Sequence, residues 1–157
     1  MSLASRSAKF ITVSALYDMI GQYLGRVPEK PSEPQLQQLE DETVDFWHRL
    51  TSSLREWQEV EAGNLRPAEA RLEYINAHSV FFFAIGAAGR ELKIRDELDL
   101  LGRLDSIDWR RTNKEWQGIC MLGPDIVTRR QTRAALVQQI LYRLGVEPAP
   151  SRHVLHD

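Results

Sequence analysis

The run from Ser106 to Gly118 brings together side chains that proteins use to hold nucleic acids. Within thirteen residues it contains two tryptophans, three cations and a glycine, the side chains of interest being Trp109, Arg110, Arg111, Lys114 and Trp116. Aromatic rings can stack on bases, and arginine and lysine can contact phosphates. The chemistry that this density indicates is binding of an anion or a nucleic acid.

A second basic group stands at the start of the last predicted helix and consists of Arg129, Arg130 and Arg133. The exposed amides and the dipole of a helix N-terminus would add to the attraction of these arginines for phosphate. If the two groups meet in the fold they form a concave anion site; the alternative is that these cations are only solvated. The predicted DNA-contacting residues are Arg110, Arg111, Lys114, Arg129, Arg130 and Arg133.

The tryptophans have a structural interpretation that we favour over base stacking. Large aromatic groups supply much of the buried area of a small domain, so Trp109 and Trp116 are predicted core anchors. Trp116 precedes Gly118, which suits a ring folded over a tight backbone. Trp47 and Trp57 are likewise predicted to be core or interface residues.

Catalytic chemistry has little support in the sequence, which contains no GxxxxGK[ST] loop, no GxGxxG turn and no nucleophile elbow. Asn76, His78 and Ser79 stand where the central helix is predicted to begin. We favour a capping cluster with Asn76 or Ser79 as the N-cap; the alternative is a phosphate or catalytic site at His78. We predict that the protein is not an enzyme and has no catalytic residue.

Metal binding is weakly indicated in two places. The acidic run Glu40, Asp41, Glu42 and Asp45 could collect a divalent cation, but such a run more often forms a solvated face near a helix N-terminus. His153 and His156 have a chelating spacing in a predicted tail. The lone Cys120 is predicted to behave as a small buried apolar residue. We predict no metal site and no cofactor.

The composition is that of one compact domain. The 157 residues are 43% hydrophobic and 27% charged, which suits a globular protein with a single core. The longest apolar run, 80–89, is about half the length needed to span a bilayer. A single cysteine and the absence of a secretory signal predict a cytoplasmic location and no membrane association.

Charge is distributed unevenly along the chain. Residues 1–65 carry ten acids and six bases, a balance of −4, and residues 103–143 carry eight bases and four acids, a balance of +4. We predict a basic C-terminal surface. Residues 9–146 are predicted to form the domain, residues 1–8 to be vector-derived or disordered, and residues 147–157 to be a flexible tail. The opening Met-Ser-Leu suggests a piece of a longer protein.

Helical periodicity dominates the first two thirds of the chain. The spacing predicts a helix over 13–24 that ends at Gly25, a proline-rich linker over 25–33, and one helix of about 40 Å over 34–62. Pro67 begins a short helical turn, and a buried central helix runs over 76–95. In that helix, Gly86 and Gly89 would let a neighbour approach closely.

The last third is predicted to mix helix with one hairpin. Leu98, Leu101 and Leu104 face inward in a helical stretch, and Asp108 caps the following turn. A hairpin turns at Gly123-Pro124-Asp125, and Thr128 forms a capping box with Gln131 before a final helix that ends at Gly145. The predicted fold class is mainly α, with about five helices and a small β-hairpin before the last one.

These segments stand in an order that resembles the C-terminal part of DndB-like DNA sulfur-modification proteins. The matching features are His78-Ser79 with an Ala-Ile-Gly helix, the run from Leu104 to Gly118, a hairpin, and Arg129 to Arg133. The segment from Phe10 to Tyr17 is also similar to one in that family. The resemblance covers residues 9–24 and 76–146. It implies a regulator associated with bacterial DNA phosphorothioation. Such proteins typically carry an N-terminal domain with a DGQHR motif, which this chain lacks, so no catalytic residue is carried over.

Three hypotheses follow. In the first, the chain is a mainly helical domain of a DndB-like regulator that contributes to DNA binding or to complex assembly, with duplex DNA and other DNA-modification proteins as partners. In the second, it is an interaction module without DNA contact, and a homodimer forms through the apolar stripe of the 34–62 helix. In the third, His78 and nearby carboxylates act as acid and base in an enzyme.

Overall fold

The computed structural model describes residues 9–146, which form six α-helices, three 3₁₀ segments and one hairpin. The elements in chain order are α1 (Val13–Leu24), α2 (Glu33–Ser53), α3 (Arg55–Glu61), α4 (Pro67–Glu73), a 3₁₀ turn (Ile75–Ala77), α5 (Ser79–Ile94), a 3₁₀ segment (Leu98–Ser106), a 3₁₀ turn (Lys114–Trp116), β1 (Met121–Leu122), β2 (Asp125–Ile126) and α6 (Arg130–Arg143). A mainly helical fold with a hairpin before the last helix is thus confirmed, although the predicted number of helices, about five, is too low.

The predicted disordered or vector-derived residues 1–8 and the predicted tail over 147–157 lie outside the described residues. Among the helices of residues 9–146, none has both the length and the apolar character required to cross a bilayer.

The first helix has the bounds that its periodicity predicts. Thr12 caps α1 by accepting a hydrogen bond of 2.9 Å from the amide of Ala15. Gly25 ends the helix with a φ of 71°, a left-handed conformation that glycine adopts without a steric penalty.

The second helix is shorter than predicted, because the chain breaks at Leu54. Ser32 and Gln35 form a capping box at the start of α2, and the helix runs for 21 residues, about 30 Å. Leu54 then adopts an extended conformation, with φ −112° and ψ 99°, while its side chain is fully buried. The prediction of one continuous helix over 34–62 is wrong, because burial of Leu54 and Trp57 bends the chain where no glycine or proline signals a break.

The central helix α5 carries the core. It packs against both α1 and α6, and its buried residues include Phe81, Ile85 and Leu92. A Cβ atom on Gly86 would meet the carbonyl of Met19, and one on Gly89 would meet the ring of Phe46, so both glycines permit the predicted close approach. The N-cap is His78, not Asn76 or Ser79 as predicted, because Asn76 belongs to a preceding buried 3₁₀ turn.

After α5 the chain turns at Asp96, whose φ of 56° is the one positive value at a non-glycine position in the described residues. The following segment is helical, as predicted, but of the 3₁₀ type, and it buries Leu101 and Leu104. The hairpin forms where predicted, with Met121 opposite Ile126 and Leu122 opposite Asp125.

The start of α6 departs from the prediction. The N-cap is Arg129, which makes no side-chain capping hydrogen bond. A capping box needs Thr128 at the N-cap and Gln131 at the third helical position, but the helix begins one residue later than that register requires. The predicted capping box is therefore wrong, whereas the predicted end near Gly145, where φ is 90°, is confirmed.

Candidate nucleic-acid interface

The two tryptophans of the 106–118 run lie in the core, as predicted. Their rings stack with centroids 5.3 Å apart and planes 4° from parallel. The indole of Trp109 donates to the carbonyl of Leu104 at 3.2 Å, and that of Trp116 donates to the carbonyl of Asp108 at 2.9 Å. Because both rings are buried, they fix the backbone of this run and are not presented for stacking on bases.

Arg111 is half-buried and connects three parts of the chain. One terminal nitrogen donates to the carbonyl of Arg71 at 3.0 Å and the other to the carbonyl of Pro124 in the hairpin turn at 2.6 Å. Its backbone amide donates to the carbonyl of Glu73 at 2.8 Å. Since both terminal nitrogens are engaged by carbonyl oxygens, this arginine braces the 106–118 run against α4 and the hairpin.

Arg110 is exposed and lines a cavity of about 270 Å³. Its backbone amide donates to the Asp108 carboxylate at 3.0 Å, which forms the turn that the sequence predicted. The other lining residues are Arg55, Glu56, Tyr74, Leu104, Asp105, Ile107, Asp108 and Trp109. Three carboxylates therefore offset the charge of the two arginines in this cavity.

Lys114 is exposed at the first position of the Lys114–Trp116 turn. Asn113 caps that turn by accepting from the amide of Glu115 at 3.1 Å. The Glu115 carboxylate lies 3.5 Å from Arg143 near the end of α6, which ties the turn to the last helix.

Arg129 and Arg130 are both exposed where α6 begins. Arg129 borders a cavity of about 370 Å³ between the hairpin and the first turns of α6, whose lining also includes Gly118, Ile119, Cys120, Met121, Leu122, Val127, Gln131, Thr132 and Ala135. No residue lines both this cavity and the one at Arg110, so Arg110 and Arg129 border different cavities.

Arg133 lies one turn further along α6 and is half-buried. Its guanidinium carbon is 4.7 Å from the centre of the Phe83 ring, a cation–π contact that joins α6 to α5.

The six candidate cations differ from the basic residues that form ion pairs in the described part of the chain. The described part of the chain contains seven ion pairs, and none includes a candidate cation. Their basic members are Arg49, Arg55, Arg66, Lys93, Arg95 and Arg143. The charged groups of the candidate set are therefore in no ion pair of the described residues, although three carboxylates share the cavity of Arg110.

The ring of His78 is hydrogen-bonded to a backbone carbonyl group, whereas the favoured capping cluster with Asn76 or Ser79 as the N-cap does not form. Its Nε2 donates to the carbonyl of Arg71 at 2.6 Å, so Nε2 carries the proton. Burial lowers the pKa of His78; the hydrogen bond to Arg71 opposes this, and the charges of Arg111 and Arg71 reinforce it. Cys120 is buried as predicted, and burial raises the pKa of its thiol to about 11.

The structure also shows a residue that the sequence interpretation missed. Arg71 on α4 is 5% exposed, donates to the carbonyl of Lys9 at 2.6 Å, and accepts through its own carbonyl from both His78 and Arg111. Nothing in the spacing of a seven-residue helix indicates that one arginine will be buried in this way.

The predicted acidic run forms no metal-ligand cluster with its neighbours; among residues 9–146 no group of three potential ligands is close enough to hold an ion. Asp45 pairs with Arg49 at 2.8 Å, and Glu42 lies 3.8 Å from Lys93. His153 and His156 lie outside the described residues.

Comparison with known proteins gives one result. A family model for DndB, described as DNA-sulfur modification-associated, matches residues 1–147, which is nearly the whole chain. The matched range includes α2 and α3, for which the sequence resemblance offered no motif. No curated protein and no solved structure matches the chain significantly.

Proposed function

Because the chain belongs to the DndB family, whose members are associated with DNA sulfur modification, we propose that it binds duplex DNA as part of the regulation of that modification. In this proposal Lys114, Arg129 and Arg130 contact phosphates directly, and Arg110 adds a peripheral contact. Arg111 and Arg133 hold the elements that carry them.

The observation that carries the proposal is that Lys114, Arg129 and Arg130 are exposed and are in none of the ion pairs of the described residues. A cation that is already paired must lose that pair before it can bind a phosphate, whereas an unpaired one exchanges only water and counterions. Arg129 is the N-cap of α6, and Arg130 is its first residue. This 14-residue helix has no acidic residue in its first turn. Free amides and the helix dipole there favour an anion.

Contacts of this kind position DNA without reading its sequence. Phosphate contacts fix register and orientation, and base-edge contacts are needed for specificity. Because Trp109 and Trp116 are buried, neither ring can stack on a base. We therefore expect binding that tolerates many DNA sequences and weakens steeply with salt. The proposal assigns no chemical step to the chain and no catalytic role to His78.

The proposal is tested by the binding of a short fluorescent duplex, followed by anisotropy between about 50 and 200 mM salt. Replacing both Arg129 and Arg130 with glutamine should weaken binding about 10-fold and lower the slope of log K against log salt by about 2. The matched control, Arg66→Gln with Arg95→Gln, makes the same change in net charge at two ion-paired arginines and should alter affinity little. Binding that is absent or insensitive to salt would overturn the proposal.

A second candidate function is an interaction module for the DNA-modification machinery. The observation in its favour is on α2, where Leu36 and Val44 are 52% and 50% exposed. The stripe predicted over 34–62 does not continue past the break, because Trp57 on α3 is buried in the core.

A further inference from the structure

The outward side of α2 presents a surface that its own domain does not cover. Glu33, Leu36, Glu40, Asp41 and Val44 are all exposed, and their spacing of three and four residues places them on one side of the helix. We call these five residues the acidic face. It combines three carboxylates with two apolar side chains that are half exposed.

The carboxylates of α2 divide into two sets. Glu42 lies 3.8 Å from Lys93 and Asp45 lies 2.8 Å from Arg49, so these two acids are neutralised within the domain. Glu33, Glu40 and Asp41 are in none of the ion pairs of the described residues; Asp41 accepts only from the Gln37 amide, at 2.9 Å. The acidic face therefore keeps three negative charges beside exposed apolar groups.

A second surface of the same domain has the opposite character. Leu122 in β1 is 69% exposed, and it borders the cavity of about 370 Å³ together with Val127, Arg129 and Ala135. Arg130 is exposed beside them. We call these five residues the hairpin face. Its recess is lined by both apolar and polar groups, and the two arginines at its edge are in none of the ion pairs of the described residues.

The two faces are opposite in charge, and each exposes aliphatic side chains. Leu36 and Val44 stand two helical turns apart, about 12 Å, with Glu40 and Asp41 between them. Docking would place aliphatic groups in the recess of the hairpin face and carboxylates beside Arg129 and Arg130. Opposite charges would direct the encounter, and the apolar contact would exclude water from it.

From this complementarity we infer that the acidic face of one copy docks on the hairpin face of a second copy. The occupant is thus another molecule of this chain. Insofar as the proposed function is correct, the association also competes with DNA, because both use Arg129 and Arg130. High local concentrations of the protein would then reduce the fraction available to DNA.

A charge-swap experiment tests the inference with no DNA present. One variant carries Glu40→Lys and Asp41→Lys, and the other carries Arg129→Glu and Arg130→Glu. In a solution of either variant alone, the acidic face and the hairpin face carry charges of the same sign. Self-association measured by sedimentation equilibrium should therefore weaken at least about 10-fold relative to the unaltered chain. An equimolar mixture restores opposite charges across the contact and should recover association.

The outcomes separate this inference from the proposed function. An unaltered chain that stays at its monomer mass of 18.1 kDa up to high concentration, or a mixture that does not recover association, overturns the inference. DNA binding by a chain that never self-associates would leave the proposed function standing alone. Self-association with recovery in the mixture, but with no DNA binding, would support docking between copies and overturn the proposed function.

Discussion

The first turns of α2 and the basic run over 109–133 are both dense in charge, yet the domain holds them very differently. Residues 33–45 carry five acids and no bases, whereas residues 109–133 carry six bases and two acids. From 33 to 41 every residue of α2 is exposed except Leu39. The basic run, by contrast, contains two fully packed tryptophans, and its Arg111 is hydrogen-bonded to α4 and to the hairpin turn.

This difference shows that charge density and anchoring are independent properties of a segment. The acids lie on a regular helix, whose geometry is set by hydrogen bonds within its own backbone. The basic run has little regular structure, so its geometry depends on buried rings and on hydrogen bonds from side chains to carbonyl groups. A ligand that binds the basic run therefore meets cations on a backbone already fixed, which lowers the ordering cost of binding.

The two regions should differ most in the free energy of unfolding that is lost when a large side chain is truncated to alanine. Trp116→Ala removes a fully buried, stacked ring and should lower the free energy of unfolding by about 3–5 kcal/mol. Leu36→Ala, on the acidic face, should cost no more than about 0.5 kcal/mol. Urea denaturation of both variants measures the difference. Equal effects would mean that the two regions are anchored alike.

The adjacent arginines provide a second contrast, inside the basic run itself. Arg111→Ala removes charge-assisted hydrogen bonds to two carbonyl groups and should lower stability by about 1–3 kcal/mol. Arg110→Ala, its exposed neighbour, should lower it by at most about 0.5 kcal/mol. The same denaturation series measures both variants. If Arg110 proved the costlier residue, the brace would be wrongly assigned.

Neutralising the acidic face should affect DNA binding only slightly. With Glu40→Gln and Asp41→Gln, we expect less than about a 2-fold change in affinity at physiological salt, because exposed charges are screened over about 8 Å. Anisotropy at a protein concentration far below that of self-association measures this. A large loss of affinity would place α2 in the DNA contact and remove the distinction between the two regions.

The smallest expected effect is a pH dependence of stability caused by His78, whose ring lies beside Arg71 and Arg111. Burial lowers the pKa of His78 in the folded chain, so the unfolded chain binds more protons just below the ordinary pKa of about 6.5. The contribution of His78 to the stability of the folded chain is therefore intact above that pH. It is lost as the pH falls through the window below about 6.5. Thermal unfolding across this window should show the decline in the unaltered chain and a weaker decline in His78→Gln. Identical profiles would exclude His78 as the source.

Regular features of the fold could be predicted from sequence because their signals are local. Apolar spacing and Gly25 define α1, and the glycine and proline between Leu122 and Asp125 define the hairpin turn. The break at Leu54 could not be predicted, since no glycine or proline stands there; Thr51, Ser52 and Ser53 only weakly disfavour a helix, and Leu54 itself is buried in the core. The register at the start of α6 was missed for a related reason: Thr128 has the right residue type for a cap, but packing begins the helix later.

The candidate site was predictable in composition but not in arrangement. The sequence indicates six cations and anchoring tryptophans, and the tryptophans are buried as expected. It does not distinguish Arg111, which is bonded to carbonyl groups of residues 40 and 13 positions away, from exposed Arg110 next to it. Such long-range hydrogen bonds have no local signature, so a brace and a contact residue look alike in the sequence.

The most direct test of the account is a titration of the isotope-labelled chain with a short DNA duplex, followed by the amide shifts in NMR spectra. We predict that the perturbed amides cluster around Lys114 and over 129–133, while those of 33–44 stay unchanged. Perturbations centred on α2, or none at all, would contradict the claim that the basic run is the DNA-binding surface of this domain.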